Sequence, residues 1–117
     1  MKLDAIKYDF TKTAITFITP VGYLEMVYLL KNCQLVMCDS GGLQKEAFFF
    51  KKRCIILRNE TEWVELVENR FNFLAGVKSK DIVKCYNDVA SIKEGDFSKK
   101  LYGDGMAGVQ ILEKLLD

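Results

Sequence analysis

The segment Asp39-Ser40-Gly41-Gly42-Leu43-Gln44-Lys45-Glu46 has the residue types of a phosphate-binding turn. It follows a short apolar run and opens a helical pattern, and the amino end of a helix offers unbonded peptide N–H groups and a partial positive charge. Glycines at the first helical positions let a phosphate approach the backbone, and the Ser40 hydroxyl can cap the helix and donate to an anion. Glu46 lies four residues after Gly42, on the same helix face and about 6 Å along the axis. That offset suits a carboxylate that accepts hydrogen bonds from a ribose diol.

The same motif also has a purely structural interpretation. A serine-capped helix that follows a strand has glycines in its turn for conformational reasons, and Glu46 would then lie in solvent. The Ser-Gly-Gly sequence is short, and it lacks the lysine of a Walker loop. The motif by itself leaves both interpretations open.

Short β-rich runs alternate with helical patterns, which predicts an α/β fold with a parallel, Rossmann-like sheet and flanking helices. The predicted strands are residues 13–19, 34–38, 54–57 and 72–75, joined by right-handed crossovers. The predicted helices are residues 22–32, 43–51, 61–69, 79–92 and 106–117, and Thr61 is predicted to cap the third of them. Ligands bind at the carboxyl ends of strands in such sheets, which is where the Ser40 turn is expected to lie. We expect one domain over residues 1–117, with residues 1–12 as an N-terminal extension.

The composition argues against several kinds of function. The chain has 17 Lys and Arg against 16 Asp and Glu, a net charge of +1, which disfavours a general nucleic-acid binder. It has no histidine, which removes the most frequent general base and every histidine-containing zinc site, and we expect no metal and no cofactor. The four cysteines lack CxxC spacing and are expected to be buried, reduced thiols of a cytoplasmic protein. No apolar stretch reaches the roughly 18 residues of a membrane span, and residues 1–12 lack the apolar core of a signal peptide.

Four segments taken in order resemble a known family. They are PVGYLE at 20–25, DSGGLQKEA at 39–47, LRNETEWVE at 57–65 and LYGDG at 101–105. Together they resemble the C-terminal part of the non-hydrolysing UDP-N-acetylglucosamine 2-epimerases, over roughly residues 15–116. The resemblance implies a glycosyltransferase-B-like fold, with the nucleotide sugar in a cleft between two domains. This chain would then be a partial C-terminal, UDP-binding domain, and the catalytic carboxylates would belong to the absent N-terminal domain.

The resemblance also assigns roles to individual residues. The UDP contacts that it implies are Ser40, Gly41 and Gly42 for the diphosphate, Glu46 for the ribose and Met26 for the uracil. Arg58 and Thr61 match the family's R-x-x-T-E segment, which borders the cleft. Common members have T-E-R-P-E where this chain has T-E-W-V-E, a variant that looks like family branches acting on di-acetamido uronic acids.

The family's reaction inverts C2 of the sugar by eliminating UDP and adding it back, a role associated with cell-surface polysaccharide synthesis. Proton abstraction needs a positioned base, and none of the expected bases is encoded here. We therefore expect UDP or a UDP-N-acetylhexosamine as ligand, no catalytic residue and no turnover by the isolated chain. Two other classes stay open: the donor-binding domain of a glycosyltransferase, and a non-catalytic remnant that makes protein contacts.

The sequence also predicts self-association. A four-stranded sheet with an uncovered edge is a template for pairing, and the aromatic run at residues 48–50 and the apolar helix at 22–30 favour a partner surface. We expect a homodimer or higher oligomer, unless a missing N-terminal half or residues 1–12 cover the edge. Light scattering at low micromolar concentration measures this, and the mass of one chain, unchanged on tenfold concentration, would contradict an oligomer.

Overall fold

A computed structural model describes residues 9–93 and 95–116 of the chain. Residues 1–8, most of the predicted N-terminal extension, and Asp117, the last residue of the last predicted helix, lie outside the described residues. A 3-10 turn at Phe10–Lys12 precedes the regular elements. In chain order these are α1 (Tyr23–Asn32), β1 (Leu35–Cys38), α2 (Gly41–Phe49), β2 (Arg53–Ile56), α3 (Val64–Glu68), β3 (Asn72–Leu74), α4 (Ser79–Ala90) and α5 (Ala107–Leu116).

The sheet has three parallel strands in the order β1-β2-β3, which confirms the predicted parallel α/β fold. Leu35 pairs with Arg53 in the first ladder, and Cys54 pairs with Asn72 in the second. Parallel neighbours need a crossover, and α2 and α3 provide one each.

The predicted first strand, residues 13–19, is wrong. These residues have no regular secondary structure and take no place in the sheet. Ile15 and Ile18 leave 62% and 61% of their surface exposed. β-Branched and aromatic residues favour a half-buried pleated surface, but a strand exists only where a neighbouring strand pairs with it. The composition of residues 13–19 therefore suits a strand, but none of the three described strands pairs with them.

The predicted cap of the third helix is also wrong. Helix α3 begins at Val64, and its N-cap residue, Trp63, makes no side-chain capping bond. The Thr61 hydroxyl instead donates to Gln44 Oε1 at 2.7 Å and accepts from the Trp63 amide at 3.1 Å. A residue type that often caps its own helix here binds a neighbouring helix.

The core lies on both faces of the central strand β2. Cys54 and Ile56 pack with residues of α1 and α2 on one face, and Ile55 packs against α4 on the other. A third, aromatic cluster joins α2 and α3 to the segment at 97–102; its members are Phe48, Leu66 and Phe71, with Trp63, Phe97, Leu101 and Tyr102 around them. Within the described part of the chain, no helix is both long and apolar enough to cross a bilayer.

The first residue of β3 is a polar side chain in an apolar position. Asn72 is fully buried, and neither its amide nitrogen nor its amide oxygen has a hydrogen-bond partner within the described residues. Its strand partner is Cys54, which belongs to the core. An unpaired buried amide loses its hydration without compensation.

We predict that Asn72→Leu raises the free energy of unfolding by about 1–2 kcal/mol, because it replaces the unpaired amide with an apolar group of similar size. Asn69→Leu is the matched control. The Asn69 amide donates to Glu65 O at 2.8 Å and accepts from Lys99 Nζ at 2.7 Å, so its loss is expected to lower stability. Urea unfolding of both variants measures the difference, and a destabilised Asn72→Leu would contradict the assignment.

Candidate functional site

The carboxyl ends of all three strands lie along one edge of the sheet. Backbone bonds extend the ladders past the strands, from Leu57 N to Cys38 O at 2.9 Å and from Ala75 N to Ile56 O at 3.0 Å. The Gly76 amide then donates to Arg58 O at 3.1 Å, in a left-handed conformation (φ 71°) that glycine adopts without strain. The loops after the strands are thereby held side by side, at the edge where open parallel sheets bind ligands.

The loop after β1 turns directly into helix α2. Ser40 is the N-cap: its backbone is extended, and its hydroxyl accepts from the Leu43 amide at 3.4 Å. The Gln44 amide donates to Ser40 O at 3.2 Å, which is the first bond of the helix. Within the described residues, the amides of Gly41 and Gly42 have no acceptor. Two peptide donors and the positive end of the helix dipole are therefore available to an anion.

The two glycines of this turn have different surroundings. A Cβ atom at Gly42 would have Ser40 Oγ as its nearest neighbour, at 4.0 Å, so the space in front of this residue is open. A Cβ atom at Gly41 would lie 3.2 Å from Glu62 Oε2. Neither side-chain packing nor a positive φ angle thus requires glycine at position 42. The absence of a side chain here gives a ligand access to the backbone amide.

The loop after β2 is fastened to the first turn of α2. The Trp63 indole N–H donates to Gly41 O at 2.8 Å, and the Thr61 hydroxyl reaches Gln44 from the same loop. Gln44 is fully buried, and its Nε2 has no partner among the described residues. These contacts hold the Ser40 turn from its inner side and leave its outer side open.

Arg58 and Glu62 form a two-point ion pair in the same loop. The guanidinium donates to the two carboxylate oxygens at 3.2 and 2.8 Å. The hydrogen bond from Arg58 is the main reason that the pKa of Glu62 is lowered, and the same bond raises the pKa of Arg58. Because Glu62 lies next to Gly41, its neutralisation by Arg58 protects the positive potential of the helix end.

Lys45 lies on α2 between two aromatic rings. Its ammonium is 4.4 Å from the ring centroid of Trp63 and 4.2 Å from that of Tyr102, within cation–π range. Burial raises the pKa of the Tyr102 hydroxyl, and the nearby Glu65 carboxylate raises it further, although the two groups do not form a hydrogen bond of regular geometry. The cluster fixes the plane of the Trp63 indole.

Two thiols lie beneath the Ser40 turn. Cys38 Sγ is 3.6 Å from Ser40 O, and the Cys54 thiol is 3.6 Å from Cys38 Sγ. The hydrogen bond to Cys38, with burial as the second cause, raises the pKa of Cys54. Both side chains are buried free thiols, so they support the turn as small apolar groups.

The remaining predicted residues lie on the adjoining helices. Glu46 is half-buried on α2, and its carboxylate has no hydrogen bond or ion pair with any described residue. Met26 on α1 is half-buried and packs against the same core cluster as Leu43 of α2. A hydrogen bond thus connects Thr61 with the helix that the Ser40 turn begins, whereas Met26 is connected to that helix only through the shared apolar core.

The sequence reasoning missed two residues of this arrangement, Gln44 and Trp63. Trp63 packs in the aromatic cluster, and its indole N–H also binds the backbone of the turn. These contacts join residues 17 and 22 positions apart, and no local pattern marks them. The sequence offered one indirect signal, the proximity in the chain of Trp63 to Thr61.

A large, open cavity of the described chain lies elsewhere. It has a volume of about 770 Å³ and lies along β3 and α4, with Asn72, Phe73 and Cys85 in its wall. No residue of the Ser40 turn lines it. The turn is instead an open surface, and the chemistry of its donors, rather than enclosure, distinguishes it as the candidate site.

Comparison with known proteins identifies relatives that match most of this chain. The family model described as UDP-N-acetylglucosamine 2-epimerase matches residues 2–116. A UDP-2,3-diacetamido-2,3-dideoxy-D-glucuronate 2-epimerase of Pseudomonas aeruginosa is 46% identical over 104 residues, which are 89% of this chain and 29% of that protein. A UDP-N-acetylglucosamine 2-epimerase homolog of Methanococcus maripaludis is 42% identical over 86% of this chain and 28% of its own length. The chain therefore spans less than a third of the length of these relatives.

Solved structures give the same result. The UDP-GlcNAc 2-epimerase of Methanocaldococcus jannaschii in complex with UDP-GlcNAc and UDP superposes with a TM-score of 0.79 at 36% identity, over 97% of this chain and 30% of that one. The Neisseria meningitidis enzyme bound to UDP-GlcNAc superposes with a TM-score of 0.63 at 31% identity, over 85% of this chain and 28% of that one. The three-stranded parallel sheet with its helices is thus part of the C-terminal domain of a glycosyltransferase-B-like fold, and the chain belongs to the UDP-N-acetylglucosamine 2-epimerase family.

Proposed function

We propose that the amino end of α2 binds the diphosphate of UDP or of a UDP-N-acetylhexosamine. The observation that carries the proposal is the pair of amides at Gly41 and Gly42, which have no acceptor in the described part of the chain and lie at the carboxyl edge of a parallel sheet. The Ser40 hydroxyl adds a third polar group beside them. The open space in front of Gly42 lets a phosphate oxygen reach the backbone.

The nucleoside would extend from this turn along α2. Glu46 lies one turn beyond Gly42, its carboxylate is unpaired among the described residues, and it would accept the hydrogen bonds of a ribose diol. Met26 would lie against the uracil, where a thioether offers polarisable contact without the stacking of an aromatic ring. Arg58 and Thr61 would line the cleft on the sugar side of the diphosphate.

Relatives support the choice of ligand. The Methanocaldococcus jannaschii structure, whose fold this chain shares, contains UDP-GlcNAc and UDP. In a protein of the relatives' length, we propose that this part holds UDP while groups outside this sequence remove the proton at C2 of the sugar. The T-E-W-V-E segment and the diacetamido-glucuronate relative favour a UDP-sugar with acetamido groups, as used for cell-surface polysaccharides.

Location and assembly are part of the same proposal. The four cysteines are free thiols, which favours a reducing compartment, and we propose the cytoplasm. As partner we propose either a second copy or the part of the enzyme that would close the cleft.

We predict that the chain binds UDP with a Kd in the high micromolar to millimolar range, about −4 to −6 kcal/mol, and that Gly42→Ala weakens binding at least tenfold. The new methyl group would stand where the phosphate approaches, while its nearest protein neighbour is 4.0 Å away. Alanine also favours a helix over glycine, so stability should rise by about 0.5–1 kcal/mol. Amide shifts during a UDP titration measure affinity and position together.

The matched control is Gly108→Ala in α5, where a Cβ atom has nothing within 4 Å. It should raise helix stability similarly and leave UDP binding unchanged. Glu46→Gln completes the series: it should weaken the binding of UDP more than the binding of 2′-deoxy-UDP, which keeps only one hydroxyl of the diol. Shifts remote from residues 40–46, or none at millimolar UDP, would contradict the proposed site.

We also predict that the 117-residue chain alone does not convert UDP-N-acetylglucosamine to its 2-epimer. We propose that the catalytic carboxylates lie outside this sequence, and the amino end of α2 faces open solvent, so proton transfer would lack both a positioned base and an enclosed site. Proton NMR of the sugar anomeric signals measures conversion. Turnover by purified chain, absent from a mock purification, would show that the catalytic groups lie within this sequence.

A further inference from the structure

The Gly41 carbonyl is held by a side chain whose own position is fixed independently. Trp63 donates its indole N–H to Gly41 O at 2.8 Å. The ring lies in the aromatic cluster, edge-on to Tyr102 with centroids 6.0 Å apart, and the Lys45 ammonium lies 4.4 Å from its centroid. The indole therefore reaches the turn from a packed position rather than as a mobile surface group.

The hydrogen bond to this carbonyl acts on the amide next to it. Gly41 C=O and Gly42 N–H belong to one planar peptide unit, so fixing the oxygen also sets the direction of the N–H. A donor on the oxygen draws electron density from the unit and strengthens the N–H as a donor, as in a chain of cooperative hydrogen bonds. Gly42 N–H is one of the two amides in the described chain that the first turn of α2 leaves unbonded.

The preceding peptide unit is held in the same manner. Its carbonyl, Ser40 O, accepts from the Gln44 amide at 3.2 Å and lies 3.6 Å from the Cys38 thiol. Its N–H belongs to Gly41. Both available amides thus belong to peptide units whose oxygens are fixed from inside the protein, and Trp63 is the side chain that fixes the more exposed one.

We infer that Trp63 is a positioning residue for diphosphate, acting through the Gly41–Gly42 peptide, an inference that rests on the proposed function. Trp63 has no contact with the ligand in this arrangement. It orients and polarises the Gly42 amide through its indole N–H. A role in packing alone would need the ring but not the N–H.

Trp63→Phe separates these roles, because phenylalanine keeps an aromatic ring and loses the donor. We expect UDP to bind about three- to tenfold more weakly, the effect of one hydrogen bond, while any weak binding of uridine, which lacks phosphate, is unchanged. The Gly42 amide proton of the unliganded variant should resonate upfield of its wild-type position, since the peptide is less polarised. Phe97→Leu is the control: it loosens the same cluster through Phe48 and Phe71, and it should leave UDP affinity unchanged.

The wild-type chain provides a second measurement that needs no variant. Trp63 is its single tryptophan, so the indole N–H has a unique resonance. Diphosphate bound to Gly42 should strengthen the Trp63 bond and move this resonance downfield with UDP but not with uridine. Equal UDP affinity of Trp63→Phe and wild type, or a static indole resonance while residues 40–46 respond, would overturn the inference and leave the proposed function standing. Absence of any response at residues 40–46 would overturn both.

Discussion

Strand β2 contributes the three side chains around which the molecule is organised. Cys54, Ile55 and Ile56 are fully buried, and they alternate between the two faces of the sheet. Helices must therefore cover both faces, and each crossover must return the chain to the same edge before the next parallel strand begins. The loops that follow β1 and β2 consequently meet at that edge. Without the double burial of β2 there would be no reason for the Ser40 turn and the Thr61 loop to touch.

The candidate site depends on peptide groups rather than on side-chain charge. The chain has almost no net charge, and the nearest charged pair, Arg58 with Glu62, is internally neutralised. What remains for an anion is a helix end whose peptide units are held from behind by Thr61, Trp63 and the Ser40 backbone bonds. A site of this kind is preorganised, since the donors already point outward before a ligand arrives.

Local patterns in the sequence predicted much of this arrangement. They did not predict the contacts between residues that are far apart in the chain. The serine cap, the glycines at the helix start and the parallel sheet are each encoded within a few neighbouring residues, and they are present. The sequence predicts Thr61 as the N-cap of the helix that follows it, because capping residues are recognised by residue type and by their position just before a helix. Its hydroxyl instead donates to Gln44, 17 positions away in the chain. The predicted strand at residues 13–19 is wrong for a related reason. Whether a segment becomes a strand depends on a neighbouring strand that pairs with it, and the composition of the segment does not specify that neighbour. The indole bond of Trp63 had no counterpart in any motif.

The order of the strands has a consequence for how the chain folds. Strand order in the sheet equals order in the sequence, and Leu35 with Arg53 and Cys54 with Asn72 are separated by crossovers of the same length. Each strand can therefore pair with the strand that precedes it in the chain. Among the described strands, pairing does not require a segment that is distant in sequence. Short loops keep the entropic cost of closure low, which favours rapid folding for a parallel sheet. During synthesis, the β1–α2–β2 unit leaves the ribosome before β3 does, so the Ser40 turn is among the first parts of the sheet edge that can form.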